Sequence, residues 1–460
     1  MINFRLYAIQ YLTAILVLFC SVDSRATDFY IDPEKGTVEG DGTKTSPWLT
    51  LEEVWNSGKI QTQAWIPPYK SSTKALTPKN IGAPIQPGDT IHLLSGHHGK
   101  LIIIGAINND WITVKAADGA KPTFGRIMLR SSSKWVFDGI SISPSHVAPY
   151  KKNILFLVED HSWSGPSSFI TIRNSTLFGM ANISGWNAQN WIAFAPDAIH
   201  TEAENTIIEN MNIFNVHNGV TIEKADYTEI KNSTINHISG DGIQNNQSSY
   251  VKIEYNTIKN IYTVDKTHKD MIQAWTFDAP ITGMEIRGNT LVMAENDKNP
   301  LTLKVQGIGM FDGWYDNTLV ENNLIVTNTD HGISFYGAKN CRIINNTVTS
   351  VLNSSVGPTG APIRIYPHKN GTPGFDNIIR NNLATYISTT NRGVDGGVLV
   401  DHNIKVINSD HFINAEAFDF RLKKTSPAID TGSIIFSPEI DILKNPRTNI
   451  PDIGAYEYIK

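Results

Sequence analysis

Eight-residue phrases with apolar residues at alternate positions and a polar turn residue between them recur along the chain. The clearest are Ile170-Thr-Ile-Arg-Asn-Ser-Thr-Leu177, Thr206-Ile-Ile-Glu-Asn-Met-Asn-Ile213, Thr228-Glu-Ile-Lys-Asn-Ser-Thr-Ile235 and Val251-Lys-Ile-Glu-Tyr-Asn-Thr-Ile258. The third residue of each copy falls on Ile172, Ile208, Ile230, Ile253, Ile286, Val320, Ile343 and Ile379, with weaker copies at Leu93, Val114, Phe137 and Val400. The steps are 21 to 23 residues, or 33 to 36 where a loop is inserted. Alternation within short segments, Asn and Gly between them and a period near 22 predict a solenoid of parallel strands, each coil burying its aliphatic residue on the next. About 12 coils are expected, at roughly 4.8 Å each. The recurrent Asn174, Asn210, Asn232, Asn322 and Asn381 suit turns in which the side chain bonds the backbone and stacks on its neighbours.

The same register sorts a second strand. Asp197, Asn218, Asp241, Asp270, Gln306, His331 and Ala361 form one column, and an aliphatic residue follows two places later in every copy, from Ile199 to Ile363. That row must face the core. Three places on, facing outward, come His200, Thr221, Gln244, Gln273, Gly309, Ser334 and Arg364; five places on come Glu202, Glu223, Asn246, Trp275, Phe311, Tyr336 and Tyr366. The outer face is acidic at one end and aromatic at the other, and rings on a rigid sheet match the faces of sugars. Insertions before this strand, at 178–196, 260–269, 293–305 and 349–360, are expected to wall a groove. The first carries Trp186 and Trp191.

The ends of the repeat region carry further motifs. Phe29-Tyr-Ile-Asp-Pro33, Gly40-Asp-Gly-Thr43 and Ser46-Pro-Trp-Leu-Thr-Leu51 resemble the opening of secreted right-handed parallel β-helix proteins of the pectate-lyase-like kind, among them alginate and chondroitin lyases. Ser426-Pro-Ala-Ile-Asp-Thr-Gly432, Arg447 and Pro451-Asp-Ile-Gly-Ala-Tyr-Glu457 resemble their closing segment. The resemblance implies an all-β, single-domain, right-handed parallel β-helix and a carbohydrate-active function. No catalytic motif of those lyases matches residue by residue, and the polygalacturonase signature is missing.

Composition narrows the setting. Residues 1–26 carry Arg5 ahead of an apolar run and small residues before position 27, which predicts a secretory signal peptide and a secreted or periplasmic protein. Residues 27–92 are read as an N-terminal cap with first strands, 93–410 as the coils and 411–460 as a closing segment. Cys341 is the one cysteine after position 26, so no intramolecular disulfide staples the coils. A net charge of -5 argues against nucleic acid, and no later apolar run approaches membrane-spanning length.

Chemistry concentrates on the central coils. His237 precedes Asp241 and Gln244, His268 precedes Asp270 and Gln273, and Lys304 precedes Gln306. A polysaccharide lyase acting on a uronic acid needs a base, a clamp for the carboxylate and an acid for the leaving oxygen. Here His268 or Lys304 is the candidate base, Gln244, Gln273 and Arg364 hold the carboxylate, and Tyr336 is the acid. His200, His237, Trp275, Phe311 and Tyr366 complete the expected substrate contacts. The acidic column would repel an acidic polysaccharide unless Ca²⁺ on Asp241 and Asp270 reversed the local sign. The alternatives are a glycoside hydrolase using Asp241 and Asp270 as a pair about 5 Å apart, and a glycan-binding surface protein without catalysis.

Overall fold

The computed structural model describes residues 26–295, 300–301, 304–350, 360–406 and 409–459. All of the signal-peptide segment but Ala26 therefore lies outside the described residues, as do parts of the two later insertions. Three parallel sheets run the length of a β-helix. The first contains Phe156–Glu159, Ile199–Thr201, Val220–Glu223, Ile243–Asn246, Lys269–Trp275, Val305–Asp312, Ile333–Tyr336, Ile363–Tyr366 and Ile387–Ser388. The second contains the strands that open each repeated phrase, from Ser168–Arg173 through Ile207–Glu209 and onward to Val398–Asp401. The third is a twelve-stranded sheet ending at Ile404–Lys405. Near the N-terminus, Lys100–Ala116 and Arg126–Asp138 pass round the corner and serve the first and second sheets in one strand.

Each phrase proves to be a corner rather than a single strand. Ser168–Arg173 lies in the second sheet and Thr176–Phe178 in the third, with Asn174 between them at φ 52°. Asn210, Asn232, Asn322 and Asn381 hold the same left-handed conformation, which asparagine tolerates better than most residues. The longest stacked column is the next position. The backbone N–H of Asn256 donates to Asn289 Oδ1 at 2.9 Å, and the pattern repeats through Asn323, Asn346, Asn382 and Asn403. Their buried amides also donate to carbonyls of neighbouring coils, so polar groups inside the rod are satisfied at the corners.

The core is the aliphatic repeat. Ile172, Ile208, Ile230, Ile253, Ile286, Val320, Ile343 and Ile379 are fully buried, as are Val220, Ile243, Ile272, Ile308, Ile333 and Ile363 of the first sheet. Each such side chain contributes about 2 kcal/mol of burial. Val400 departs from the series at 43% exposure, because it lies on the last second-sheet strand and no further coil covers it. The N-terminal cap is itself part of the rod: Asp28–Ile31 pairs in parallel with Thr90–Leu93. The short helix Leu51–Asn56, N-capped by Thr50, buries Leu51 and Val54 in the same core.

The closing segment packs on the outside. Phe412, Phe420, Ala428, Ile453 and Tyr456 cluster with Val292, Leu324, Val326 and Leu383 of the third sheet. Leu324 and Val326 alternate with the inward Ile325, so this sheet is apolar on both faces here and needs the cover. Arg447, buried, pairs with Glu457 at 3.1 Å and donates to Asn322 Oδ1 at 2.7 Å, tying the segment to the corner asparagines.

Candidate active site

The column before the first sheet is a ladder of side chain to backbone bonds. Asp197 Oδ1 accepts from Asn218 N–H at 3.1 Å, Asn218 Oδ1 from Asp241 N–H at 2.9 Å, and Asp241 Oδ1 from Asp270 N–H at 2.8 Å. Each side chain thus satisfies the turn of the next coil. The other oxygen of Asp241 accepts from Gln244 Nε2 at 2.6 Å. At Asp270 the ladder stops. Pairing between Lys269–Trp275 and Val305–Asp312 begins at Lys269 and Asp270, whereas the adjacent pairings begin only at the aliphatic row. Backbone pairing here takes over the role of the side chain.

Released from the ladder, the Asp270 carboxyl turns to its own strand. Its Oδ2 meets His268 Nδ1 at 2.8 Å and Gln273 Nε2 at 3.4 Å, while Oδ1 is buried without a hydrogen-bond partner. The Asp270 side chain is 0% exposed and that of His268 56%. Burial pushes the Asp270 carboxyl up to about 6. The bond to Asp270 raises the His268 imidazole above its ordinary value. Burial also raises Asp241, against the lowering effect of the Asp270 N–H and the Gln244 amide. Lys269, buried beside the dyad, pairs with Asp265 at 3.0 Å, and its charge acts on both Asp241 and His268. Lys304 does not take this place: it is exposed at the entry of its strand, with no ion pair among the described residues.

Beyond the dyad the outward row runs Gln273, Gly309, Ser334, Arg364 in the expected register. The aromatic row differs. A register shift after Ala274 pairs Trp275 with Asp312 instead of Phe311. Trp275 accordingly stacks on Phe277 at 5.4 Å, while Phe311 lies 4.9 Å from His331 and 5.6 Å from Tyr336, ring centre to ring centre. Tyr336 meets Tyr366 edge-on at 5.3 Å. Arg364 donates from Nη2 to Tyr386 Oη and lies 3.8 Å from Asp330, flanked by the rings of Tyr366 and Tyr386. His331, bonded to Ser334 Oγ at 3.0 Å, is lowered by burial to about 4 and is a neutral imidazole at ordinary pH.

Two expected substrate contacts stand apart from this group. His200 lies between Glu202 and Glu223 at 3.6 Å from each, at the acidic end of the same face. His237 does not approach Asp241. It is the penultimate residue of the third-sheet strand Thr234–Ile238, in the left-handed conformation, parallel to Tyr262 at 6.0 Å, and its charged neighbours are Glu295 and Lys259. It belongs to the wall, with Trp191, which is 2% exposed against Trp186 and Tyr262. Burial removes Trp191 from the sugar contacts expected of the first insertion.

Asp241 and Asp270 do not make a fitting Ca²⁺ pair. Ca²⁺ takes six to eight oxygen ligands, whereas both Asp241 oxygens and one of Asp270 already accept hydrogen bonds. His331, Lys269 and Tyr386 enter the site from the structure. His331 shares the column of Asp270 and was legible as a position; nothing in the repeat marks Tyr386.

No protein-family model and no curated protein sequence matches the chain. Solved structures are similar to it. Pectate lyase Pel9A aligns at 13% identity over 95% of this chain and 97% of its own, with a TM-score of 0.49. The mannuronan C-5 epimerase AlgE6 A-module of Azotobacter vinelandii aligns at 12% identity over 69% and 88%, with a TM-score of 0.45. XylC, solved with xylose, aligns at 11% identity over 94% of this chain and 98% of its own, with a TM-score of 0.51. The pectate lyase and the epimerase are carbohydrate-active proteins, and what the chain shares with XylC along nearly its whole length is the parallel β-helix fold.

Proposed function

We propose that this protein is a polysaccharide lyase that cleaves a uronic-acid-containing chain by β-elimination in the first-sheet groove. The observation that carries the reading is the His268–Asp270 dyad. A buried carboxyl holds Nδ1 of a half-exposed imidazole. That bond fixes the ring and leaves Nε2 to take the proton from the carbon beside the uronate carboxylate. The electron pair left on that carbon forms the new C=C bond, and the glycosidic oxygen leaves with a proton from Tyr336. Arg364, set between Tyr366 and Tyr386, is the cation for the carboxylate, whose charge grows as the proton departs. The aromatic rings beside it receive the sugar faces.

The ladder favours this reading over hydrolysis by paired aspartates. Asp241 holds a backbone N–H and a glutamine amide, which commits it to the coil turn. Asp270 alone is left to act, through His268. The test is a panel of acidic and neutral polysaccharides, following ultraviolet absorbance of unsaturated uronates and reducing ends in parallel. Both signals together are expected on an acidic polysaccharide. Reducing ends without absorbance would replace the lyase by a hydrolase, and neither signal on any substrate would leave a glycan-binding protein.

A further inference from the structure

The position of Phe311 has a second role beyond sugar contact. A Cβ placed on Gly309 would lie 2.4 Å from Asp270 Oδ1 and 2.4 Å from Phe311 Cε2, with Phe311 Cζ at 3.1 Å. The partnerless carboxylate oxygen and the edge of the phenyl ring therefore both crowd the same point beside Gly309, and only a residue without a side chain leaves room there. The register shift places the ring there. Without it Phe311 would continue the row of Trp275; with the shift, Asp312 takes that place and Phe311 is redirected. Its ring then packs edge to face with His331 at 4.9 Å and lies 6.4 Å from His268, so it sits among the same residues as the dyad.

We propose that Phe311 is a positioning residue that closes over Asp270 and keeps its carboxyl out of water, and that Gly309 is required for this closure. A carboxyl shielded in this way retains its proton to higher pH than one in water, because the charged form loses hydration. The titratable groups around Asp270 are His268, just before its strand, and Asp241 on the preceding coil, with Lys269 next to it in the chain and His331 against the phenyl ring. Asp241 adds to the upward pressure on Asp270, and His268 opposes it. The ring contributes by excluding solvent. An exposed Asp270 would ionise at lower pH and pair with His268 in water, where the pair is weaker.

This proposal rests on the dyad being the working centre, and its test separates the two ideas by using no substrate. Protein carrying carboxyl-¹³C aspartate is titrated by NMR, with the Asp270 signal assigned through Asp270→Asn. In the unaltered protein the inflection is expected near 6. In Phe311→Ala it should fall by about one pH unit or more, toward the range of a hydrated carboxyl. Phe311→Leu, which restores an apolar cover, should keep most of the original value. Gly309→Ala should move the Asp270 signal and its inflection by pushing the ring aside. Circular dichroism confirms that each variant retains the β-helix. An unchanged inflection in folded Phe311→Ala would overturn the proposal. A shifted inflection in a protein that cleaves no polysaccharide would keep Phe311 as the cover and sink the lyase reading alone.

Discussion

His268, just before the strand Lys269–Trp275, and Asp270, within it, are joined by a 2.8 Å bond from Nδ1 to Oδ2, with the carboxyl fully buried and the imidazole half in water. The segment that enters the strand thus presents a base together with the group that orients it. Substituting either partner should show this. His268→Ala is expected to lower kcat by about 10²-fold to 10⁴-fold on a cleaved polyuronate, with little change in thermal stability. Asp270→Asn should lower kcat as well. Retained turnover in both folded variants would remove the dyad from the chemistry.

The stability of the protein should carry a signature of Asp270 opposite to that of a surface carboxylate. Its folded value, about 6, lies above the ordinary 3.8, so the native state binds the proton more tightly than the unfolded chain. Its contribution is present below the unfolded value and is lost as pH rises from about 4 to about 6. His268, also raised, acts with the same sign: its contribution is full below its ordinary 6.5 and is lost as pH rises through the higher folded value. Asp270→Asn cannot ionise. The melting temperature of the variant relative to the original should rise between pH 4 and 6 and then level, corresponding to about 2–3 kcal/mol at most. A difference independent of pH would count against a shielded Asp270.

Asp241 should behave as a structural residue. Asn218 performs the same duty one coil earlier, with an amide oxygen accepting the next N–H. Asp241→Asn is therefore expected to be mild in both stability and activity. Asp241→Ala leaves the buried Asp270 N–H unpaired and should cost about 1–3 kcal/mol, measured by chemical denaturation. If Asp241→Asn abolished cleavage while the fold stood, the paired-carboxylate hydrolase would return.

Arg364 should govern substrate selection. Arg364→Ala is expected to reduce kcat/KM on a uronate polymer by about 10–100-fold, since a charged hydrogen bond is worth roughly 1.5–3 kcal/mol. Arg364→Lys should recover little, because an ammonium lacks the planar fork that matches a carboxylate. Equal losses on neutral and acidic polymers would show that Arg364 does not read the carboxylate.

The corner asparagines predict a different failure. Asn323 donates to Ile286 O, Glu321 O and Asn346 Oδ1 and accepts from Asn289, all in the interior. Asn323→Ala should destabilise the rod by about 2–4 kcal/mol through the orphaned groups, read as a lower denaturation midpoint. Asn174, on the exposed side of its corner, should tolerate alanine far better.

The sequence by itself determined the coil register. A strand has period two and each coil repeats its neighbour, so one aligned aliphatic residue fixes which side chains face inward and which share a column. Ile272, Gln273 and Arg364 could be placed in this way without coordinates. Register does not say where a side chain turns once it leaves its column. Asp197, Asp241 and Asp270 read alike, yet the first two cap the next coil and only Asp270 is freed, because strand pairing there begins three residues earlier. The shift that separates Phe311 from Trp275, the left-handed turn that carries His237 into the wall, and the exposure of Lys304 likewise follow from local backbone geometry between coils. Periodicity encodes the average coil. The candidate site arises where one coil departs from it, and that departure depends on contacts between residues distant in the chain.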